Sequence, residues 1–529
     1  MVVSEAPIAT RVGVEVLARG GNAVDAAVAV AFALAVVYPQ AGNLGGGGFA
    51  VVREPGGAAA ALDFRETAPA AARRDMYLDA RGAPTEASRV GHLAAAVPGS
   101  VAGLVALHAR FGARPWRELL APAIALARDG FPVDDAFAKS VAAEAAMLGR
   151  FPASAALFLP GGKPLAAGAT FRDPDLARVL ERVAASGARG FYEGETAAAV
   201  AAEMKRGGGI VTRADLAAYR AVWREPVAFD YRGVHLVSMP PPSSGGVTLA
   251  MLAHQLARFD LAGAGWHSPE HLHLLAEAMR RAFAVRNARL GDPDAVAVPT
   301  AELASDAFGA KLAATIGARA TPSSEVDGAA AEAPDGPNTT HLDVIDASGM
   351  AVALTTTINA LYGSGVTVAG AGFLLNDEMD DFAVKPGTPN LYGLVQGEVN
   401  AIAPGKRPLS SMSPTVVADA RGDVLMVAGA RGGSRIITAT WQVLSNVIDF
   451  GMPVGAAVAA PRVHQQHLPD ELWLEARGFA PGDRAALVAL GYRLVDKETL
   501  GNAPALVRTP GGWAGAFDPR RGGLAAGPP

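Results

Sequence analysis

The run from Ala26 to Tyr38 sets the tightest limit on how this chain can fold, because it carries no charged side chain and is almost entirely Ala, Val, Leu and Phe. A helix that is apolar on every side has to be covered on every side. The run is shorter than the ~20 residues needed to cross a bilayer, so the cover must come from the protein itself. Gly20-Gly21 marks a turn ahead of it, and the spacing predicts a buried helix opening near Asn22 and stopping before Pro39. Gly42-Asn43-Leu44-Gly45-Gly46-Gly47-Gly48 then reads as a tight turn into a strand at Phe49-Ala50-Val51-Val52. Further helices are expected within 97–129 and from Pro269 to about Leu290, the latter capped by Ser268. A chain of 529 residues can bury such elements without covalent staples.

Several classes of function fall away at this point. There is no cysteine, which excludes a thiol nucleophile, a cysteine-based zinc site and a dithiol couple. The formal net charge is -5 and the basic residues are scattered, so no nucleic-acid partner is expected. Met-Val-Val-Ser-Glu-Ala-Pro lacks a basic stretch followed by an apolar one, so no signal peptide and no membrane span are expected, and localisation stays open. Gly45-x-Gly47-x-x-Ala50 fits a dinucleotide fingerprint in form only, since it follows a helix and precedes a strand. Neither Gly162-Lys163 nor Gly405-Lys406 is followed by Ser or Thr, and no Gly-x-Ser-x-Gly elbow occurs. The close histidine pairs His271/His273 and His464/His467 lack a matching carboxylate set, so neither a metal nor another cofactor is expected.

The segment 321–338, with three prolines, two glycines and several acids, reads as a linker. After it come two β-rich runs, Thr339 to Asp346 and Ala351 to Asn359, around Ser348-Gly349. A hairpin centred on Ser348 would oppose Ile345 to Ala351, Asp343 to Ala353 and Thr339 to Thr357. Opposed threonines have chemical meaning if the chain is cut between Asn338 and Thr339. An N-terminal threonine carries its own base, an α-amine of pKa ~7.7–8.0, which can take the hydroxyl proton near neutral pH. Thr357 would then orient that amine. Taken alone, the segment reads better as a surface loop before an ordinary threonine-rich hairpin, because threonine is a common strand residue.

A wider pattern bears on that choice. It comprises Gly21-Asn22-Ala23-Val24-Asp25-Ala26-Ala27, Pro39-Gln40-Ala41-Gly42-Asn43-Leu44-Gly45-Gly46-Gly47-Gly48-Phe49, Leu62-Asp63-Phe64-Arg65-Glu66 and Met239-Pro240-Pro241-Pro242-Ser243-Ser244-Gly245-Gly246. It continues with Thr339-Thr340-His341, Asn376-Asp377-Glu378-Met379-Asp380-Asp381-Phe382, Lys406-Arg407-Pro408-Leu409-Ser410-Ser411-Met412-Ser413-Pro414-Thr415 and Gly432-Gly433-Ser434-Arg435-Ile436-Ile437. In this order and spacing the chain resembles the γ-glutamyltransferases (γ-glutamyl transpeptidases), and closely the bacterial ones.

The resemblance implies a four-layer αββα sandwich of the N-terminal-nucleophile hydrolase type. Residues 1–338 would form a large fragment and 339–529 a small one, interwoven as one unit and held as a heterodimer after self-cleavage. By the same resemblance Thr339 is the nucleophile, Thr357 its partner, and Gly432 and Gly433 the oxyanion donors. Arg65, Ser410 and Ser411 would clamp a substrate α-carboxylate, while Asn359, Glu378 and Asp381 hold the α-ammonium on the opposite side of the glutamyl head. Lys385 to Gly397, with Tyr392, resembles the lid over the pocket. The implied chemistry is ping-pong transfer of a γ-glutamyl group from a donor such as glutathione to water or to an amino-acid or peptide acceptor. Asp343 departs from the Ser or Thr usual there. On the hairpin it lies ~13 Å along the face from Thr339, too far for contact but able to act electrostatically. The alternatives are an acylase taking a glutaryl or other side-chain amide on the same scaffold, and a binding protein that is never processed.

Overall fold

The computed structural model describes residues 1–326 and 339–528. The apolar run forms helix Ala23–Val37, buried along its whole length. Asn22 and Asp25 close its start reciprocally, each side chain accepting the other's backbone N–H at 2.9 and 3.0 Å. Phe32 packs edge-on against Trp116, ring centroids 5.6 Å apart. Truncating such a ring to alanine costs about 3–5 kcal/mol. The other expected helices form as Ser100–Phe111, Trp116–Asp129 and Pro269–Arg289, the last with Ser268 as its cap.

Helix Ala23–Val37 lies on a seven-stranded antiparallel sheet. From edge to edge that sheet runs Leu524–Ala526, Val2–Ser4, Thr340–Ile345, Ala351–Thr357, Gly47–Arg53, Ala59–Asp63 and Val222–Arg224. Its two faces follow the period of two. Leu342, Val344, Val352 and Leu354 meet the helix layer, and Ile345, Ala351 and Ala353 turn to a second sheet. That second antiparallel sheet has six strands, in the order Gly512–Ala516, Ala505–Thr509, Val424–Ala428, Thr415–Ala418, Val234–Ser238 and Val227–Tyr231. Helices Gly245–Leu256, Pro269–Arg289 and Arg435–Ile448 cover its far side. The architecture is the αββα sandwich, and both sheets draw strands from before and after Thr339.

The hairpin adopts the expected register, with Ile345 opposite Ala351 and Asp343 opposite Ala353, continuing to Thr340 opposite Thr356. The chain turns between Tyr38 and Gly46 as expected, with Gly42 N donating to the Tyr38 carbonyl and Gly46 N to Asn43 Oδ1, but the glycines serve a further purpose. None of Gly45 to Gly48 takes a positive φ. A Cβ would instead come within 2.0 Å of the Leu374 carbonyl at Gly45, 2.0 Å of the Thr357 carbonyl at Gly46 and 2.3 Å of the Thr355 carbonyl at Gly48. The glycines are there so that two backbones can touch, which no other residue permits. Of the linker, residues 321–326 are described, and Ser323–Val326 forms one helical turn. The remainder, with Asn338 of the Asn338–Thr339 bond, lies outside the described residues.

Candidate active site

Thr339 immediately precedes strand Thr340–Ile345, an inner strand of the first sheet, and it is 4% exposed. Its φ is 147°, an unusual value for a β-branched residue and a site of local strain. Thr357 sits on the neighbouring strand end, where its Oγ accepts the backbone N–H of Asn359 at 2.8 Å. With that lone pair used, the Thr357 hydroxyl keeps its proton to donate.

Ten of the eleven expected residues line one small cavity of about 20 Å³: Thr339, Thr357, Gly433, Arg65, Asn359, Glu378, Asp381, Tyr392, Ser410 and Ser411. Gly432 is the exception and borders a neighbouring cavity. The Gly432 carbonyl accepts from Arg435 Nε at 3.0 Å. Because a trans peptide holds its C=O and N–H antiparallel, the Gly433 N–H is directed away from Arg435. Helix Arg435–Ile448 starts just beyond and adds the positive end of its dipole.

The segments that carry these side chains are tied together across the fold. Asn376 donates to the Gly45 and Ala96 carbonyls and accepts from the Ala96 and Glu378 N–H groups, which seats the turn Glu378–Asp381. The Ser410 loop is braced by the Pro240–Gly246 segment: Ser244 donates from N and Oγ to the Ser410 carbonyl, and Ser410 N donates to the Pro242 carbonyl. Tyr392 donates to Asn359 Oδ1 at 2.6 Å, and Gln466 Nε2 donates to the Tyr392 carbonyl at 3.0 Å. Tyr392 thus ties its loop to Asn359 in the cavity wall and to Gln466.

Arg65, Glu378 and Asp381, expected as receptors for opposite ends of a glutamyl head, pair with one another in this structure. The Arg65 guanidinium bonds directly to the carboxylates of Glu378 and Asp381, and its Nε donates to the Pro408 carbonyl at 3.1 Å. All three are buried in one cluster, where a cation without counter-charge would be far costlier than an internal pair. Burial works against the Arg65 charge, but Glu378, Asp381 and Glu66 more than offset it and raise its pKa. Burial likewise pushes Glu378 and Asp381 up, with Arg65 opposing.

Two further charges escaped the sequence reading. Glu66, 3.5 Å from Arg65, has both carboxylate oxygens buried without a hydrogen-bond partner, and burial raises its pKa to about 7. Its place beside Arg65 in the motif was the available signal. Arg286 lines the cavity from the last turn of helix Pro269–Arg289 and donates to Ser244 Oγ and Ser411 Oγ, both at 3.1 Å. Burial lowers it to about 10, and no local pattern distinguishes it from the other helix arginines. Behind Thr339, Asp343 Oδ1 lies 2.8 Å from His341 Nε2 and His341 Nδ1 2.8 Å from Thr355 Oγ, so the unusual acid contacts the histidine and not the threonine. His273 bonds Tyr492 and the Gly317 carbonyl, and His464 bonds Thr438 and Gln466, as polar core residues do. Among the described residues no group of three metal-ligating side chains occurs, and no helix is long and apolar enough to cross a membrane.

A threonine just ahead of an inner strand, inside an αββα sandwich and facing donor-rich backbone, defines the N-terminal-nucleophile hydrolase class. The sequence model described as Gamma-glutamyltranspeptidase matches residues 9–527. The glutathione hydrolase proenzyme of Escherichia coli K12 is 46% identical over 526 residues, 98% of this chain and 90% of that protein. The cephalosporin acylase structure from Bacillus halodurans superimposes with a TM-score of 0.87 at 27% identity, covering 99% of this chain and 95% of that one. The gamma-glutamyltranspeptidase structure from Helicobacter pylori is 42% identical, with a TM-score of 0.60 over 61% of this chain and 93% of that one. The chain belongs to the gamma-glutamyltranspeptidase family of enzymes.

Proposed function

We propose that the protein cleaves itself between Asn338 and Thr339 and then acts as a γ-glutamyltransferase and hydrolase on γ-glutamyl amides such as glutathione. The observation that carries this reading is the single cavity that joins the Thr339–Thr357 pair to receptors for both charges of an α-amino acid. A glutamyl head exchanges the internal pairs for its own: its carboxylate takes Arg65, Ser410 and Ser411, and its ammonium takes Asn359, Glu378 and Asp381. Exchange avoids leaving any of these charges buried and alone.

In the reaction, Thr339 Oγ attacks the γ-carbonyl carbon while its freed α-amine accepts the hydroxyl proton, with Thr357 orienting that amine. The tetrahedral oxyanion meets backbone N–H donors at Gly433 and Gly432, a contribution of about 3–4 kcal/mol per donor in comparable sites. Collapse expels the leaving amine with the proton and leaves a γ-glutamyl ester on Thr339. Water or an acceptor amine resolves the ester. Tyr392, bonded to Asn359, keeps bulk water from the pocket during the first step. The mature protein is then two interwoven fragments, 1–338 and 339–529.

A side-chain acylase is the less favoured reading, because a glutaryl group offers no ammonium to Glu378, Asp381 and Asn359. Intact mass and N-terminal sequencing test the proposal directly. Two fragments, one beginning Thr-Thr-His-Leu, together with γ-glutamyl-anilide hydrolysis, are expected for the wild type, and one silent chain for Thr339→Ala. A wild-type chain that stays whole on long incubation leaves Thr339 without an amine and would leave only a binding role.

A further inference from the structure

Among the described residues, Arg65, Arg280, Arg286, Arg431 and Arg462 are the arginines exposed by 2% or less. Four of them lie within ion-pair distance of a carboxylate. Arg65 meets Glu378 and Asp381, Arg280 meets Glu277 and Asp470, Arg431 meets Glu5, and Arg462 meets Asp518. Arg286 has no such partner among the described residues. Its hydrogen bonds all go to neutral oxygens: Nε to Ser244 Oγ at 3.1 Å, Nη1 to Asn287 Oδ1 at 2.9 Å and Nη2 to Ser411 Oγ at 3.1 Å. It is also the one of these, besides Arg65, that lines the glutamyl cavity.

A buried guanidinium without a paired counter-charge is costly. Arg286 sits in the last turn of its helix, whose C-terminal end offers about half a negative charge, too little to balance it. Asp381 favours the Arg286 charge from a distance, but its carboxylate is bonded to Arg65, and Arg65 itself repels Arg286. When a glutamyl ammonium draws Glu378 and Asp381 to itself, two guanidiniums are left facing the other end of the head. Only an anionic group there balances them. The connection to such a group is already in place. Ser411 Oγ accepts from Arg286, which leaves its own hydrogen to donate to a ligand in the cavity. Ser244 Oγ, the second acceptor, donates to the Ser410 carbonyl and holds that loop.

We propose that Arg286 is a positioning residue that sets the demand for a negatively charged α-carboxylate on the donor, acting through Ser411. Arg65 meets the head directly, whereas Arg286 aims and polarises the Ser411 hydroxyl and supplies the second positive charge. The inference rests on the γ-glutamyl-transfer reading above. A donor with a neutral group in place of the α-carboxylate leaves both guanidiniums buried and unbalanced, so it is rejected by more than the loss of one hydrogen bond.

The test uses the processed protein and two donors, a γ-glutamyl anilide and the same anilide with its α-carboxylate converted to a carboxamide. Each is read by its KM, or by its inhibition constant where turnover is slow. The wild type is expected to favour the carboxylate donor. Arg286→Met should shrink that preference by roughly 10- to 100-fold, the scale of a hydrogen bond to a charged group. The loss should fall on the KM of the carboxylate donor and leave kcat nearly unchanged, because the carboxylate keeps its charge throughout the reaction. Arg286→Gln, a second neutral variant that can still donate to Ser411, should behave in the same way. Arg286→Lys keeps the charge, loses the planar fork and should hold most of the preference. If Arg286 only braced the Ser244 and Ser411 loops, the variants would weaken both donors alike, and an unaltered preference in Met and Gln overturns the proposal. So does a Lys variant as indifferent as the neutral ones, or a wild type that hydrolyses the γ-glutamyl anilide but takes both donors equally well. A wild type that hydrolyses neither donor overturns the acyl-transfer reading itself, and the role of Arg286 with it.

Discussion

Gly433 is the position where backbone conformation, lid packing and chemistry meet, so Gly433→Ala is the most informative single change. Its φ is 61°, in the left-handed region, where a Cβ costs about 1–2 kcal/mol. The same Cβ would lie 2.2 Å from Tyr392 Cδ1 and 2.4 Å from Cε1. Tyr392 is held on two sides, through Asn359 and Gln466, so it cannot swing away freely. Overpacking of that kind costs about 1–3 kcal/mol more. If the whole penalty falls on the transition state, donor hydrolysis slows by roughly 30- to several-thousand-fold, at about 1.4 kcal/mol per decade. Initial rates per processed molecule, with a thermal melt as control, give the number. The two contributions separate in a cycle with Tyr392→Ala. Removing the ring should return the packing share, so Gly433→Ala costs about 1–3 kcal/mol less in the Tyr392→Ala background than in the wild type. An equal cost in both backgrounds refutes the argument, because the lid would then not be what excludes a side chain at 433.

Other outcomes can be stated more briefly. Tyr392→Phe removes the 2.6 Å bond to Asn359 Oδ1 and leaves a buried acceptor unpaired, so lid closure should weaken by about 1–3 kcal/mol and donor KM should rise in steady-state assays. Glu66 titrates near pH 7, and its ionised form puts a negative charge beside the proposed carboxylate clamp. Donor KM should therefore climb as pH passes about 7 in the wild type and stay flat in Glu66→Gln, as read from a KM–pH profile. Asp343 is fully buried with one oxygen unpartnered, and burial raises its pKa, His341 opposing. A raised folded pKa means that the unfolded chain loses its proton first, so this group's contribution to stability falls as pH rises from about 4, its unfolded value, through the folded one. Asp343→Asn should therefore melt progressively higher than the wild type over that window, and parallel melting curves across pH would contradict the assignment.

The local elements were readable because their causes are local. The cap at Asn22 depends on a residue three positions away, and the hairpin register on a turn and a period of two, so both could be placed from neighbouring residues alone. The resemblance added the identities of the site residues, and ten of those eleven do share one cavity. Tertiary structure decided how those residues relate. Arg65 reaches Glu378 across 313 positions of sequence and pairs with it, where the resemblance had set the two apart as receptors for different groups. Charge type shows what a side chain can bind, but which partner wins depends on what burial places beside it. The same holds for Gly45 to Gly48, which follow a turn but also lie in contact with the Leu374, Thr355 and Thr357 carbonyls. It holds also for Arg286, one arginine among several on its helix, chosen for the site only by the way that helix packs on the Ser244 and Ser411 loops. Contacts of this kind join segments hundreds of residues apart, and no local period or cap encodes them.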